Sequence, residues 1–148
     1  SLKNLKITYL TVHISSGLNA LKALKKESKN IKIAGVTTLT SLNDKDLKEL
    51  GYNKRINELV KHQAKLAKKA NLDAIICSGH EIKSVRRIFS KEIITPGIKI
   101  QNFKDDQKRV MHPNDAFTAG SDWLVIGRSI TKGNIKKNIE NLLRVLED

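Results

Sequence analysis

Short unbroken apolar runs alternate along this chain with stretches whose apolar residues recur every three or four positions. The runs are rich in β-branched residues and predict strands at Leu5 to Val12, Ile31 to Thr37, Asp73 to Cys77, Glu92 to Thr95 and Trp123 to Ile126. The periodic stretches predict helices at Leu18 to Lys26, Asp44 to Leu50, Lys54 to Ala70, Glu81 to Phe89 and Ile135 to Leu146. Ile56, Leu59, Val60, Gln63, Ala64 and Ala67 fall on one face of the longest of these. A short helix opens at Pro113 and stops at Gly120, which puts Pro first and Gly last. Between Ile98 and Val110 the chain is long and polar. Continuous apolar strands separated by helices mean βαβ units and a parallel sheet. The expected architecture is α/β, with five parallel strands, flanking helices and one domain over residues 1–148.

Composition narrows the picture further. With 148 residues the chain is long enough to bury a core of its own. No apolar run approaches the length of a membrane span, and Ser1-Leu2-Lys3-Asn4 lacks the apolar core of a secretory signal. The single cysteine, Cys77, excludes an internal disulfide and reads as a buried structural thiol. Together these features suit a soluble, cytoplasmic protein. The net charge of +13 raises the question of a nucleic-acid partner. Most of the lysines interleave with Leu and Ala at helical spacing, as in Lys65-Leu66-Ala67-Lys68-Lys69, which is the pattern of solvated outer helix faces. Stacking aromatics are few and scattered, and no RNA-binding motif occurs. Nucleic-acid binding is therefore not the expected main function. His13, His62, His80 and His112 show no metal-ligand spacing.

The candidate chemistry lies in the loops that follow the strands, the edge of a parallel α/β sheet where ligands bind. The sharpest signal is Trp123-Leu124-Val125-Ile126-Gly127-Arg128. A strand that delivers Gly and Arg to the start of a helix suits an anion. Gly admits close backbone approach, and Arg offers a planar fork to phosphate oxygens. The plainer alternative is a βα turn whose Arg is merely solvated.

The loop residues taken together resemble the orotidine 5′-phosphate decarboxylase family. In order, the matching pieces are Val12-His13, Val36-Thr37-Thr38-Leu39-Thr40-Ser41, Leu72-Asp73-Ala74-Ile75-Ile76-Cys77-Ser78 and Thr95-Pro96-Gly97-Ile98. They continue with Asp106-Gln107-Lys108-Arg109-Val110-Met111 and the run from Ala119 to Thr131. The resemblance implies part of a TIM-type (β/α) barrel, units four to eight of eight, and a site for orotidine or uridine monophosphate that needs no cofactor or metal. It implies that Gly127 and Arg128 hold the phosphate and that Gln107 bridges phosphate and pyrimidine. Thr40 and Ser41 would contact the base or ribose, and Pro96 would line the pyrimidine pocket.

Two positions depart from the family pattern. Lys99 stands where Arg usually contacts the phosphate, which keeps the charge but loses the fork. His13-Ile14-Ser15-Ser16-Gly17 has Ser where Gly is usual, costly if that position needs a positive φ. The family's Asp-x-Lys-x-x-Asp signature, whose Lys protonates the carbon that loses CO₂, is also missing from these residues. Asp46-Leu47-Lys48 imitates it, but at helical spacing on what reads as a solvated helix face. No catalytic residue is assigned. The expectation is a partial decarboxylase that retains the phosphate and pyrimidine half-site and is inactive alone. Alternatives are a working enzyme completed by a separate N-terminal half, a basic nucleotide- or nucleic-acid-binding module, and a decayed gene product. Five units leave two open apolar edges, so self-association or pairing with a complementary half is expected.

Overall fold

The computed structural model describes residues 6–100 and 111–147 of the chain. The five strands form one parallel sheet in sequential order: β1 Tyr9–His13, β2 Lys32–Val36, β3 Ala74–Ile76, β4 Glu92–Pro96 and β5 Trp123–Val125. The connections are α1 Leu18–Glu27, α2 Asp44–Glu49, α3 Ile56–Lys69, α4 Ile82–Arg86 and α5 Pro113–Ala119. After β5 come the short α6 Arg128–Thr131 and the longer α7 Ile135–Glu147. The residues buried on α3 are the six that the periodicity selected. The helix before β4 is shorter than its pattern suggested: Glu81 belongs to a 3-10 turn at Gly79–Glu81, and the helix ends at Arg86 rather than at Phe89.

Residues paired across a parallel ladder point to the same side of the sheet. Leu10, Val12, Ile33, Ile75, Ile93 and Leu124 share one side and pack with Leu21, Val60, Ala64, Ile82 and Val85 of the helices. On the opposite side, at the start of the strands, Tyr9 and Lys32 both bond the Glu92 carboxylate, Lys32 at 2.6 Å. This ties β1 and β2 to β4 across the face opposite the helix-side core. Burial pushes the Glu92 carboxyl up, but Lys32 and Tyr9 outweigh it and hold the group below its ordinary value.

One clasp recurs two strands apart. Asp73, just before β3, donates its N–H to Ile33 O (3.0 Å) and accepts the Ile33 N–H on Oδ2 (2.8 Å). Asp122, just before β5, does the same with Ile93, at 2.9 and 2.7 Å. Each carboxylate also meets a cation from a preceding helix: Lys25 for Asp73, at 2.6 Å, and Arg86 for Asp122. The clasp supplies the backbone bond that the ladder lacks where the strand begins.

Two expectations change. Asp46 is not simply solvated: its carboxylate accepts the Asn43 N–H at 2.8 Å while Asn43 accepts from Lys45 and Asp46, closing a capping box at the start of α2. Asn43 and Asp46 have the spacing of the box, and the first turn of a helix favours acidic side chains. Ser16 needs no left-handed backbone, since the chain takes a positive φ of 88° one residue later, at Gly17.

Candidate functional site

The carboxyl ends of β4 and β5 enclose a cavity of about 200 Å³ lined by Pro96, Gly97, Ile98, Val125, Gly127, Arg128 and Ser129. Pro96 ends β4, and Gly97 takes φ +78°, turning the chain over the cavity. Ile98 then bridges to Met111: Lys99 N–H donates to Met111 O at 3.1 Å and Met111 N–H to Gly97 O at 3.2 Å. The two ends of the polar 99–111 segment are thereby joined beside the cavity. Met111 rests directly on Gly79, where a Cβ would come within 2.8 Å of its side chain. Across the cavity, Gly127 ends the β5 loop and starts α6, its carbonyl accepting from Ile130 and Thr131 N–H at 2.9 and 3.1 Å. A Cβ on Gly127 would meet open space, so bare backbone borders the cavity. Arg128 follows at once and is exposed.

Thr40 and Ser41 lie in the turn after β2, on the same carboxyl edge but three strands from β5. They do not line the β4–β5 cavity. A second, more open cavity of about 540 Å³ begins just past them, bounded by Leu42, Asn43, Asp44, Arg55 and His80 among others. Gln63 of α3 fixes the start of this loop. Its side-chain carbonyl accepts the Thr38 N–H at 3.0 Å and the Thr38 hydroxyl at 3.2 Å, both in buried surroundings. Thr37 adds a hydroxyl bond to Ile76 O at 3.0 Å.

Of the site residues expected from sequence, Pro96, Gly127 and Arg128 meet in one cavity. Lys99 is half-buried just beyond its lining, Thr40 and Ser41 stand on the far side of β3, and Gln107 lies outside the described residues. Sequence reasoning left out Gly97, Ile98, Val125 and Ser129 as lining residues. The Pro-Gly pair signalled a turn, but which apolar neighbours face the cavity depends on register. Among the described residues no group of His, Cys, Asp and Glu could hold a metal ion, and no helix is long and apolar enough to cross a membrane.

Comparison with known proteins bears on the same residues. The family profile described as orotidine 5′-phosphate decarboxylase / HUMPS matches residues 1–140. An orotidine 5′-phosphate decarboxylase of Wolbachia pipientis is 42% identical over 153 aligned residues, covering 100% of this chain and 68% of the relative. One from Coxiella burnetii is 43% identical and covers 86% of this chain and 58% of its own length. The crystal structure of the Lactobacillus acidophilus decarboxylase superposes with a TM-score of 0.82 at 30% identity, covering 99% of this chain and 66% of that one. The chain thus spans 58% to 68% of the length of these relatives. The five parallel strands and their helices are part of a TIM-type (β/α) barrel.

Proposed function

We propose, from the premise that this chain belongs to the orotidine 5′-phosphate decarboxylase / HUMPS family, that residues 1–148 form one domain carrying the phosphate and pyrimidine half of a nucleotide site. The observation that carries this reading is the single cavity shared by Pro96, Gly127 and Arg128. In it Gly127 offers approachable backbone and Arg128 a guanidinium for the phosphate of orotidine or uridine monophosphate, while Pro96 gives the pyrimidine an apolar wall. Lys99 adds positive charge beside the cavity. Thr40 and Ser41, on a loop braced by Gln63, reach the ligand's base or ribose from across the sheet, and Gln107 bridges phosphate and base.

The half-site binds but does not catalyse. No Asp-x-Lys-x-x-Asp segment occurs in these residues, so nothing here supplies the proton to the carbon that loses CO₂. Phosphate contacts cannot replace it. A charge-assisted Arg–phosphate pair is worth about 1.5–3 kcal/mol, whereas enzymes lower barriers by roughly 8–23 kcal/mol. The 148-residue chain alone is therefore inactive as a decarboxylase and needs the remaining barrel units for turnover.

Titration with uridine monophosphate tests the site. Affinity should be roughly millimolar, about 4 kcal/mol. Arg128→Ala should weaken it about tenfold or more, the loss of one charge-assisted pair. Unchanged affinity in that variant would refute the assignment of Arg128, and decarboxylation by the chain alone at an enzyme-like rate would refute the division of labour.

A further inference from the structure

The residues that α3 buries, from Ile56 to Ala67, lie on one face, and its other face carries a row of lysines. Lys61, Lys65 and Lys68 follow at steps of four and three, which sets them within an arc of about 60° and along about 10 Å of the helix axis. Lys69 flanks the row. α1, which packs beside α3, adds Lys22 and Lys26 one turn apart. All six are exposed, and none meets a carboxylate within ion-pair distance among the described residues. The acids of the two helices stand near their ends, Glu58 in the first turn of α3 and Glu27 at the last residue of α1, and none lies between Lys61 and Lys69. Like charges four residues apart oppose the helix that carries them, so a face that serves only solubility is better built from interspersed signs. The nucleotide site takes Arg128 and Lys99 and leaves most of the net charge of +13 without a role.

We propose that the outer face of α1 and α3 is a second binding surface, for the phosphate backbone of duplex nucleic acid, and that it binds without reading sequence. A duplex carries one negative charge per about 1.7 Å of its axis, so a row of cations about 10 Å long meets several phosphates at once and releases their counterions. The other side chains decide the class of polyanion. Neither helix has an Arg to fork onto a base edge. Neither has a Phe, Tyr or Trp on which the bases of a single strand could stack. None of the exposed large apolar residues lies on α1 or α3, so nothing there would enter a lipid surface. What remains is a set of ammonium groups held on two rigid helices, which contacts phosphates and carries no sequence information. The lysine row lies on the side of α3 turned away from the sheet, apart from Pro96, Gly127 and Arg128, so the inference stands independently of the half-site reading.

Fluorescence anisotropy of a short labelled DNA duplex of mixed sequence, titrated with the 148-residue chain at several salt concentrations, tests this. The dissociation constant should be about 10–100 μM near physiological salt, and log affinity should fall against log salt with a slope of about −5, for five or six phosphate contacts. Replacing Lys61, Lys65 and Lys68 together by Gln should make the slope shallower by about three and weaken binding about tenfold or more. A control with Lys48, Lys136 and Lys137 replaced by Gln removes the same charge from other exposed positions and should shift the slope by less than about one. Thermal melts of both triple variants should match the parent, and uridine monophosphate should not displace the duplex. Equal losses in the two variants would overturn the proposal, since net charge and not this face would then hold the duplex. So would a parent slope no steeper than about −1, or displacement by uridine monophosphate. Tighter binding to the single strand, or to vesicles containing phosphatidylserine, than to the duplex at the same salt would overturn it as well.

Discussion

Replacing Gln63 by Leu isolates one interaction that links the core to the ligand edge. Gln63 is 6% exposed and Thr38 is 8% exposed, and the Gln63 carbonyl is the acceptor for both the Thr38 N–H and the Thr38 hydroxyl, at 3.0 and 3.2 Å. Leu has a similar volume but no acceptor. The hydroxyl can rotate toward another partner, while the N–H direction is fixed by the backbone. An unsatisfied buried donor costs about 1–3 kcal/mol, and the added apolar surface returns up to about 1 kcal/mol. The net expectation is a loss of about 2 kcal/mol, or about 4–8 °C in Tm for a chain of this size. Gln63→Glu keeps an acceptor oxygen in place and should lose less in mild acid, where the carboxyl is neutral and no charge is buried. Because Thr38 begins the loop that carries Thr40 and Ser41, Gln63→Leu should also weaken uridine monophosphate binding. Thermal melts and a nucleotide titration of both variants check this. A Gln63→Leu protein as stable as the parent, or one no less stable than Gln63→Glu in mild acid, would refute the claim that this carbonyl braces the loop.

Acid should separate Asp73 from its Asn variant. Burial pushes the Asp73 carboxyl up, but Lys25 and the Ile33 N–H outweigh it, leaving the group below its ordinary value. A depressed carboxyl stabilises the fold above its unfolded value, about 3.9, and loses that contribution as pH falls through the folded one. In urea melts the deficit of Asp73→Asn should be constant near neutrality and shrink below about pH 4; a deficit that grows in acid would reverse the sign of the argument. Gly35→Ala should cost about 1–3 kcal/mol by overpacking, because the new Cβ would lie 2.7 Å from Leu72 and 2.8 Å from Ile14, both fully buried. A denaturant midpoint unchanged by that substitution would mean the Ile14–Leu72 contact yields freely.

How far the sequence alone reaches can be judged element by element. The buried face of α3, the five strands, the Pro-first and Gly-last limits of α5 and the Gly127-Arg128 turn are all legible in it. Each is set by local rules: an unbroken β-branched apolar run, a repeat of 3.6 residues, a fixed φ, a missing side chain. The motifs also carried the family, because Leu39-Thr40-Ser41 and Asp106-Gln107-Lys108-Arg109, in order with Thr95-Pro96-Gly97 and Gly127-Arg128, hold their meaning in linear order. What tertiary structure decided depends on register between strands distant in the chain. Tyr9, Lys32 and Glu92 look like unrelated polar residues until the sheet brings their side chains together. Asp73 and Asp122 look like turn residues until each is found returning a backbone bond to the neighbouring strand. Gln63 reads as one polar residue on an apolar face, and only the packing of α3 beside β2 reveals Thr38 as the reason. The cavity follows the same division: sequence named Pro96, Gly127 and Arg128, but their meeting at one mouth required β4 and β5 to lie side by side, since proximity across a sheet is a property of pairing and not of spacing along the chain.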